Sequence, residues 1–414
     1  MNKRHSTTLS DKLLLAFPFV NMFSALSIYT IDTFNFSPPF ILSVLYILVT
    51  IFETPRYGTL IKKNNVAMYI LFVGLIFLAY ISNTDASLKS FLLYLYFATF
   101  YLLLFKERGE LIVSQKYILA IIYVGSFINA LGIIQFICQF TPVGYLDLSF
   151  GEMASVGYNT TAEVYSSIGV LLRAHSIYLE PSILSQQCFL VIVLAFYLFA
   201  NKSLKIMPLT FIIGVNILAA ACSISGTGIV HGALALAFLV LVYYGRKPSI
   251  LFFIFIAMAV LIYSYNDATL YEFFWSRLSE GSSSQTTSGF IRFVIPWSCL
   301  VYSIFNNGLG VGPGCSYKII HEVYPEMNMI NDFNSGWPKV GVEAGIITLL
   351  IYIMFEIGVF KSARRKNNLA IAIFILFLAK EMTDGTVLTE SYIYIVFVLI
   401  MSGVQLDNQA RNEI

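Results

Sequence analysis

Charged residues are scarce in this sequence. They make up 12% of its 414 residues, whereas hydrophobic residues make up 58% and aromatic residues 16%. Soluble domains contain about 25% charged residues, so the composition excludes a soluble globular protein. The net charge of +2 gives no basic surface for nucleic acid, because the few Lys and Arg residues are scattered among short loops.

Cysteine is also rare, and recognisable processing signals are missing. The five cysteines form no disulfide framework, although Cys299 and Cys315 share one predicted loop in which a single disulfide could form. The apolar N-terminal stretch has no small-x-small cleavage site, so we expect it to be retained as the first helix rather than removed as a signal peptide. No internal repeat is apparent.

Long apolar runs take up most of the sequence instead. At about 20 residues for each crossing of a bilayer, they predict an all-α polytopic membrane protein with about 12 transmembrane helices in a single integral membrane domain, residues 1–414. Polar, Gly and Pro residues bound each run. The predicted helices cover residues 13–31, 38–53, 66–81, 88–105, 117–140, 182–200, 206–222, 227–244, 248–265, 340–360, 369–385 and 388–404.

Positive charge predicts the orientation, because Lys and Arg collect in cytoplasmic loops. With the N-terminus inside, cytoplasmic segments hold 18 of the 25 Lys and Arg residues and outside segments hold 7. Both termini are therefore predicted to be cytoplasmic. A further apolar segment, Gly289–Phe305, would move the basic loop Lys361–Asn368 outside if it crossed, and the bias would be lost over the rest of the chain. We therefore expect it to lie in the membrane interface or pack on the bundle, interrupted at Pro296.

Two loops on the predicted outer side are long, at about 141–181 and about 266–339. We expect them to contain short helices and to carry the function, because long loops in compact proteins are usually either functional or disordered.

The first long loop ends in "LLRAHSIYLEPS", where Arg173, His175 and Glu180 come directly before an apolar run. Pro181 disfavours helical geometry at Glu180 and starts the next helix, which puts these side chains at the outer membrane boundary. Arg173 and Glu180 are expected to face one side. They either contribute to a binding site or pair with each other as an ordinary membrane anchor.

The second long loop carries Arg277 and Arg292, followed by the glycine-rich "NNGLGVGPGCS". Closely spaced glycines such as Gly310 and Gly312 let backbone N–H groups surround an anion, although a simple turn explains them equally well. Guanidinium groups bind phosphate oxygens through two parallel hydrogen bonds. Together with Arg173, these residues predict recognition of a phosphorylated group at the outer leaflet.

These motifs carry a family resemblance. An arginine before Glu-Pro at a helix start, a later arginine loop with "GLGVGPG", and "NDFNSGWPKVGVEAGIIT" leading into a helix together resemble the bacterial O-antigen polymerase (Wzy) family, within the O-antigen polymerase and ligase superfamily. The resemblance covers most of the chain in topology. It implies a multi-pass glycosyltransferase of the bacterial inner (cytoplasmic) membrane that works on the periplasmic face. Its substrates would be undecaprenyl-pyrophosphate-linked oligosaccharides, with loop arginines holding the pyrophosphate.

The last of these motifs distinguishes polymerase from ligase. The ligase branch has a histidine before Asn, Ser or Gln, then nine residues, a glycine, two residues, and Gly, Thr or Tyr. This sequence places Asn334, Ser335, Gly345 and Thr348 in that pattern. Asn334 replaces the histidine, and it cannot act as a general base, although it can hydrogen-bond a sugar. The polymerase is therefore favoured, with the O-antigen ligase as an alternative.

The implied reaction, in lipopolysaccharide biosynthesis, moves a growing glycan from undecaprenyl pyrophosphate to a hydroxyl group of an incoming repeat unit. Fixed cations would stabilise the departing diphosphate, and a base would take the hydroxyl proton. The predicted catalytic residues are Arg173, Arg277, Arg292 and Glu180, the last either as the base or only as a partner that positions Arg173. The predicted substrate-binding residues are His175, His321, Asp332, Asn334, Gly310 and Gly312.

Simpler roles exist for several of these residues. The two histidines can be ordinary surface residues, and Asp332 can begin a turn or cap the following helix. No metal or cofactor is expected, because arginines can stabilise the diphosphate. The expected partners are the lipid-linked oligosaccharides, membrane lipid and a chain-length regulator, with no nucleic acid.

A transporter, including a flippase for the same lipid-linked oligosaccharide, is the alternative from another class. The short connection "NKSLK", the absence of repeats and the shortage of charge at mid-membrane argue against it. Glu356 is expected to snorkel towards the cytoplasmic end of its helix. Interhelical hydrogen bonds are expected from the polar residues within predicted helices, which are Asn21, Asn129, Gln135, Asn216 and His231.

Overall fold

The computed structural model describes residues 8–31, 34–57, 63–104, 113–148, 150, 153, 163–166, 169–245, 290–327, 330–333, 335–364, 367–383 and 391–405. The α-helices in these ranges are α1 (Leu9–Val20), α2 (Pro38–Tyr57), α3 (Lys63–Ile81), α4 (Leu88–Leu104), α5 (Gln115–Cys138), α6 (Pro181–Ala200), α7 (Ile206–Ser223), α8 (Gly226–Tyr244), α9 (Ile295–Asn306), α10 (Ser316–Val323), α11 (Gly336–Ala344), α12 (Ile346–Arg364), α13 (Asn368–Thr383) and α14 (Ser391–Ser402).

Three small two-stranded sheets lie between these helices. Strand β1 (Thr30–Ile31) pairs antiparallel with β2 (Phe34–Asn35). Strand β3 (Val113–Ser114) pairs in parallel with β6 (Val404–Gln405), which joins the start of α5 to the end of α14. In the first long loop, β4 (Glu163–Ser166) and β5 (Gly169–Leu172) form an antiparallel hairpin, so this loop contains strands that the sequence did not predict.

The apolar helices identify an all-α membrane protein. Within the described residues, the helices with the length and composition to cross a bilayer are the four helices α3, α5, α6 and α7. Helices α4 and α8 are also apolar, but their apolar stretches, Leu88–Leu104 and Val230–Tyr244, are shorter than 18 residues. The part of the chain that the structure describes therefore supports four candidate crossings rather than the predicted twelve, and the predicted helix 248–265 lies outside it.

Most predicted helices are present, but two have a different form. The predicted helix 13–31 ends at Val20, where a 3-10 turn, Asn21–Phe23, leads towards β1. The predicted helix 340–360 is broken at Gly345, whose φ of +85° ends α11 before α12 begins. Glycine adopts this left-handed conformation without the steric cost that a Cβ would impose.

Helix α6 occupies the centre of the described bundle. In its most apolar stretch of 18 residues, 78% of the residues are buried, compared with 17% for α3. Helices α5, α7, α8 and α13 pack against it. Gly228 of α8 allows a close approach, because a Cβ there would overlap Ser185 of α6. Ser185 Oγ also donates to the carbonyl of Ser225 at 3.3 Å, which fixes the start of α8 against the first turns of α6.

Polar side chains connect the apolar helices, as predicted for two of them. Asn129 of α5 donates to the side-chain oxygen of Asn216 of α7 at 2.7 Å. The hydroxyl of Tyr178, in the loop before α6, donates to the side-chain oxygen of Asn129 at 3.1 Å. These bonds satisfy amide groups that would otherwise be buried without partners.

Helix α11 folds back along α12. Trp337, eight residues before Gly345, donates its indole N–H to the carboxylate of Glu356, eleven residues after it, at 2.9 and 3.1 Å. The N-terminus of α11 therefore lies beside the middle of α12. Glu356 is 2% exposed, so the prediction that it snorkels towards water is wrong, because the returning helix supplies a buried partner instead.

The segment expected at the interface or on the bundle begins as a π-helical turn, Phe290–Val294, and continues as α9. Helix α9 packs against α11, which favours packing on the bundle. Pro296 does not break the segment, which stays helical to Asn306, but the π-helical turn gives way to α-helix directly before it, where the proline has no N–H to continue the hydrogen-bond pattern. Cys299 and Cys315 are both free and buried.

Candidate functional site

Glu180 and Arg292 form an ion pair between the two predicted outer loops. The chain is extended at Glu180 (φ −143°, ψ 154°) and becomes helical at Pro181, which confirms the predicted start of α6. Arg292 Nη2 lies 3.4 Å from Glu180 Oε2, and Ser182 Oγ donates to the same oxygen at 3.0 Å. The two charged side chains are 18% and 26% exposed, so this pair is accessible from solvent although it is mostly shielded.

Arg173 lies at the same end of α6. Its Nε donates to the carbonyl of Ser223, at the end of α7, at 2.9 Å. The next backbone N–H, that of Ala174, donates to the carbonyl of Cys222 at 3.1 Å. Because the connection between α7 and α8 also contacts the start of α6 through Ser185, Arg173 lies at the end of α6 that carries the Glu180–Arg292 pair.

His175 is buried between these elements. Its Nδ1 lies 3.0 Å from the carbonyl of Tyr178, and its Nε2 lies 3.1 Å from Nε2 of Gln135. The neutral ring therefore donates from Nδ1 and accepts at Nε2. The side-chain oxygen of Gln135 accepts from the backbone N–H groups of His175 and Ser176 at 2.8 and 2.9 Å.

Burial also decides the charge of this histidine. It lowers the pKa of His175, and the bond to the carbonyl of Tyr178 and the charge of Asp147 offset the effect only in part. The ring therefore has internal partners and stays neutral near pH 7. This geometry fits a residue that fixes the turn before α6 better than one that contacts a sugar.

The glycine-rich turn uses its N–H groups inside the protein. Gly310 donates to the carbonyl of Asn307 at 2.7 Å, and Gly312 donates to the backbone carbonyl of Glu343 at 2.9 Å. The N–H of Gly314 faces the carboxylate of Glu343. Of the two explanations for this motif, the geometry favours a turn packed on α11, and the anion beside it is the protein's own carboxylate.

A charge cluster in which Lys339 and Glu343 are buried and Asp332 is exposed lies at the base of that turn. The ammonium of Lys339 forms an ion pair with Asp332, and the carboxylate of Glu343 accepts from Tyr94 at 2.9 Å and Ser316 at 2.6 Å. Burial lowers the pKa of Lys339, but the two carboxylates outweigh it, so this pKa is raised. Burial raises the pKa of Glu343, and Lys339 offsets this only partly. Asp332, predicted to bind substrate, is thus paired with a lysine of α11.

The other predicted residues contribute less. His321 lies in the last turn of α10 with its ring 6.0 Å from that of Tyr317, and its Nε2 is buried with no hydrogen-bond partner among the described residues. Arg277 and Asn334 lie outside the described residues. In the described part of the chain, no three His, Cys, Asp or Glu side chains converge as metal ligands.

Two buried ionisable groups were not predicted as site residues. Lys380 and Glu381, near the end of the predicted helix 369–385, lie in α13 and are 3% and 0% exposed. Lys380 Nζ donates to Oε1 of Gln186 in α6 at 2.8 Å and lies 5.8 Å from the centroid of the Tyr394 ring. The signal that could have identified them is two charges at the end of an apolar helical run.

Comparison with known proteins adds no relative, since no family model matches the chain and no curated protein matches its sequence.

Proposed function

We propose that the protein is a glycosyltransferase that polymerises undecaprenyl-pyrophosphate-linked oligosaccharide repeat units into O-antigen-type polysaccharide. The observation that carries this proposal is the Glu180–Arg292 pair, with Arg173 at the same end of α6. Two guanidinium groups and one carboxylate suit a reaction in which an anion departs while a hydroxyl loses its proton. The substrate class comes from the resemblance to O-antigen polymerases.

In this mechanism Arg173 and Arg292 bind the diphosphate that links the growing glycan to its lipid. The oxygen of the acceptor hydroxyl attacks the anomeric carbon, and the bond from that carbon to the diphosphate breaks. The electron pair leaves with the diphosphate, where the guanidinium groups stabilise the new charge. Glu180 takes the proton of the hydroxyl group. Each charge-assisted contact contributes about 1.5–3 kcal/mol before desolvation is subtracted.

The proposal includes an orientation in the inner membrane. The start of α6 would face the periplasm, both termini would lie in the cytoplasm, and the chain would cross about 12 times, as the apolar runs predict. Cysteines introduced at Ser283 and Asn367 test it, since the first is expected to react with a membrane-impermeant maleimide from outside and the second only from inside. Reaction of both from one side would contradict this orientation.

The decisive experiment supplies purified protein in liposomes with lipid-linked repeat units and no ion gradient. Wild-type protein should produce a ladder of chain lengths, and Arg173→Ala and Arg292→Ala should abolish it. In cells, both variants should reach normal abundance but leave single repeat units on lipopolysaccharide. Lys318→Ala is the matched control, because it removes a cation of the second loop that instead pairs with Asp85 at 2.7 Å. A full ladder from both arginine variants would refute the proposed site.

A transporter of lipid-linked oligosaccharide is the second candidate. It is favoured by the burial of Glu356, Lys380 and Glu381 in α12 and α13, because ionisable groups within apolar helices often mark transport pathways. The scarcity of charge within the helices, which argued against a transporter, is a weaker argument for that reason. Movement of the lipid-linked unit across sealed vesicles without any chain elongation would favour the transporter.

A further inference from the structure

A second cationic position lies below the Glu180–Arg292 pair. Ser182 and Gln186 are four residues apart on α6 and share one face of that helix. Ser182 contacts the carboxylate of Glu180, and Gln186 contacts the ammonium of Lys380. One helical turn, about 6 Å along the axis, therefore separates the two contacts.

Neighbouring elements also bring Lys380 to this site. Helix α13 packs against α6 and against the π-helical turn that carries Arg292. The ring of Tyr394 in α14 lies on another side of the ammonium. Burial of an ammonium group is costly, and such groups among apolar helices commonly mark a functional site.

We propose that Lys380 is a further substrate-binding residue that contacts the phosphate attached to the lipid, while Arg292 contacts the phosphate attached to the sugar. This inference rests on the proposed function. Lys380 lies deeper along α6, among the apolar helices that suit a prenyl chain, whereas Glu180 lies at the helix start, where the acceptor hydroxyl must lose its proton.

The test measures binding of geranylgeranyl diphosphate and geranylgeranyl monophosphate to the full chain in phosphatidylcholine nanodiscs. Lys380→Met should weaken binding of both probes about tenfold or more, because both contain the phosphate next to the lipid. Lys380→Arg should bind close to wild type. Arg292→Ala should weaken binding of the diphosphate probe but not of the monophosphate probe. Gln186→Glu gives Lys380 a competing carboxylate of the same shape and should weaken both probes in a folded protein.

Several outcomes would overturn the assignment. If wild-type protein elongates lipid-linked units and Lys380→Met binds both probes normally, the role of Lys380 fails while the proposed function stands. If Lys380→Met and Lys380→Arg lose the same affinity for the probes and Gln186→Glu binds them normally, Lys380 has only a packing role. If inorganic pyrophosphate binds as tightly as the prenyl diphosphate, the lipid-phosphate contact is wrong. Wild-type protein that neither binds the probes nor elongates would overturn both proposals.

Discussion

Gly310→Ala tests whether the glycine-rich turn packs on α11 or binds a ligand. Gly310 has a φ of +83°, and a Cβ there would lie 2.5 Å from the carbonyl oxygen of Glu343 and 2.6 Å from the backbone nitrogen of Gly345. Both neighbours are backbone atoms, so no side-chain rotation can relieve the clash. The left-handed conformation costs an L-residue about 1–2 kcal/mol, and overpacking costs about 1–3 kcal/mol. We therefore expect a loss of about 2–5 kcal/mol in the free energy of unfolding.

The cysteines provide the assay for this prediction. All five are free, and Cys188, Cys222, Cys299 and Cys315 are buried, so a fluorogenic maleimide reports unfolding as detergent-solubilised protein is heated. Gly308→Ala is the matched control, because no heavy atom lies within 4 Å of a Cβ at that position. We expect this control to stay within about 0.5 kcal/mol of wild type.

The opposite pattern of results would refute the packing argument. If Gly310→Ala unfolds at the same temperature as Gly308→Ala but loses binding of geranylgeranyl diphosphate, the turn is an anion nest, as the sequence also allowed. The carbonyl of Glu343 would then have to move away from the turn on ligand binding.

Three further predictions concern buried or paired groups. The pKa of His175 is lowered in the folded protein, so its stabilising contribution is complete above about pH 6.5 and is lost as the pH falls from there towards the folded-state pKa. In His175→Asn, the unfolding temperature should therefore change less between pH 7 and pH 5 than in wild-type protein. The same pH dependence in both proteins would contradict this. Glu356→Gln keeps an acceptor for the indole N–H of Trp337 and should be tolerated, whereas Glu356→Leu should lower the free energy of unfolding, measured by heating, by about 1–3 kcal/mol. Equal stability of the two variants would show that the hydrogen bond from the indole is unimportant. Glu180→Gln should slow elongation about 10²–10⁴-fold without weakening diphosphate binding, and a weaker affinity would instead make Glu180 a binding residue.

Local constraints explain what the sequence predicted well. Pro181 fixes the backbone of its own residue and of Glu180, so the start of α6 follows from two adjacent residues. Long apolar runs likewise predict helices without reference to the rest of the chain. The interhelical bond between Asn129 and Asn216 was predictable because a buried amide among apolar helices requires a partner.

Long-range packing explains what the sequence did not predict. No local pattern shows that α11 turns back at Gly345, and only this turn brings Trp337 to Glu356. The choice of Arg292 over Arg173 as a partner for Glu180 also depends on how a distant loop packs on α6. The predicted helix 369–385 contains Lys380, but only the packing of α13 on α6 brings its ammonium to Gln186.

The Glu180–Arg292 pair suggests how binding and catalysis would be linked in the proposed reaction. One nitrogen of the guanidinium group contacts the carboxylate at 3.4 Å, whereas phosphate oxygens can accept two parallel hydrogen bonds from such a group, so a phosphate can replace the carboxylate. When the diphosphate takes Arg292, the carboxylate of Glu180 loses its cationic partner and is released to contact the acceptor hydroxyl. Binding of the donor substrate would thus free the proposed base for the acceptor hydroxyl.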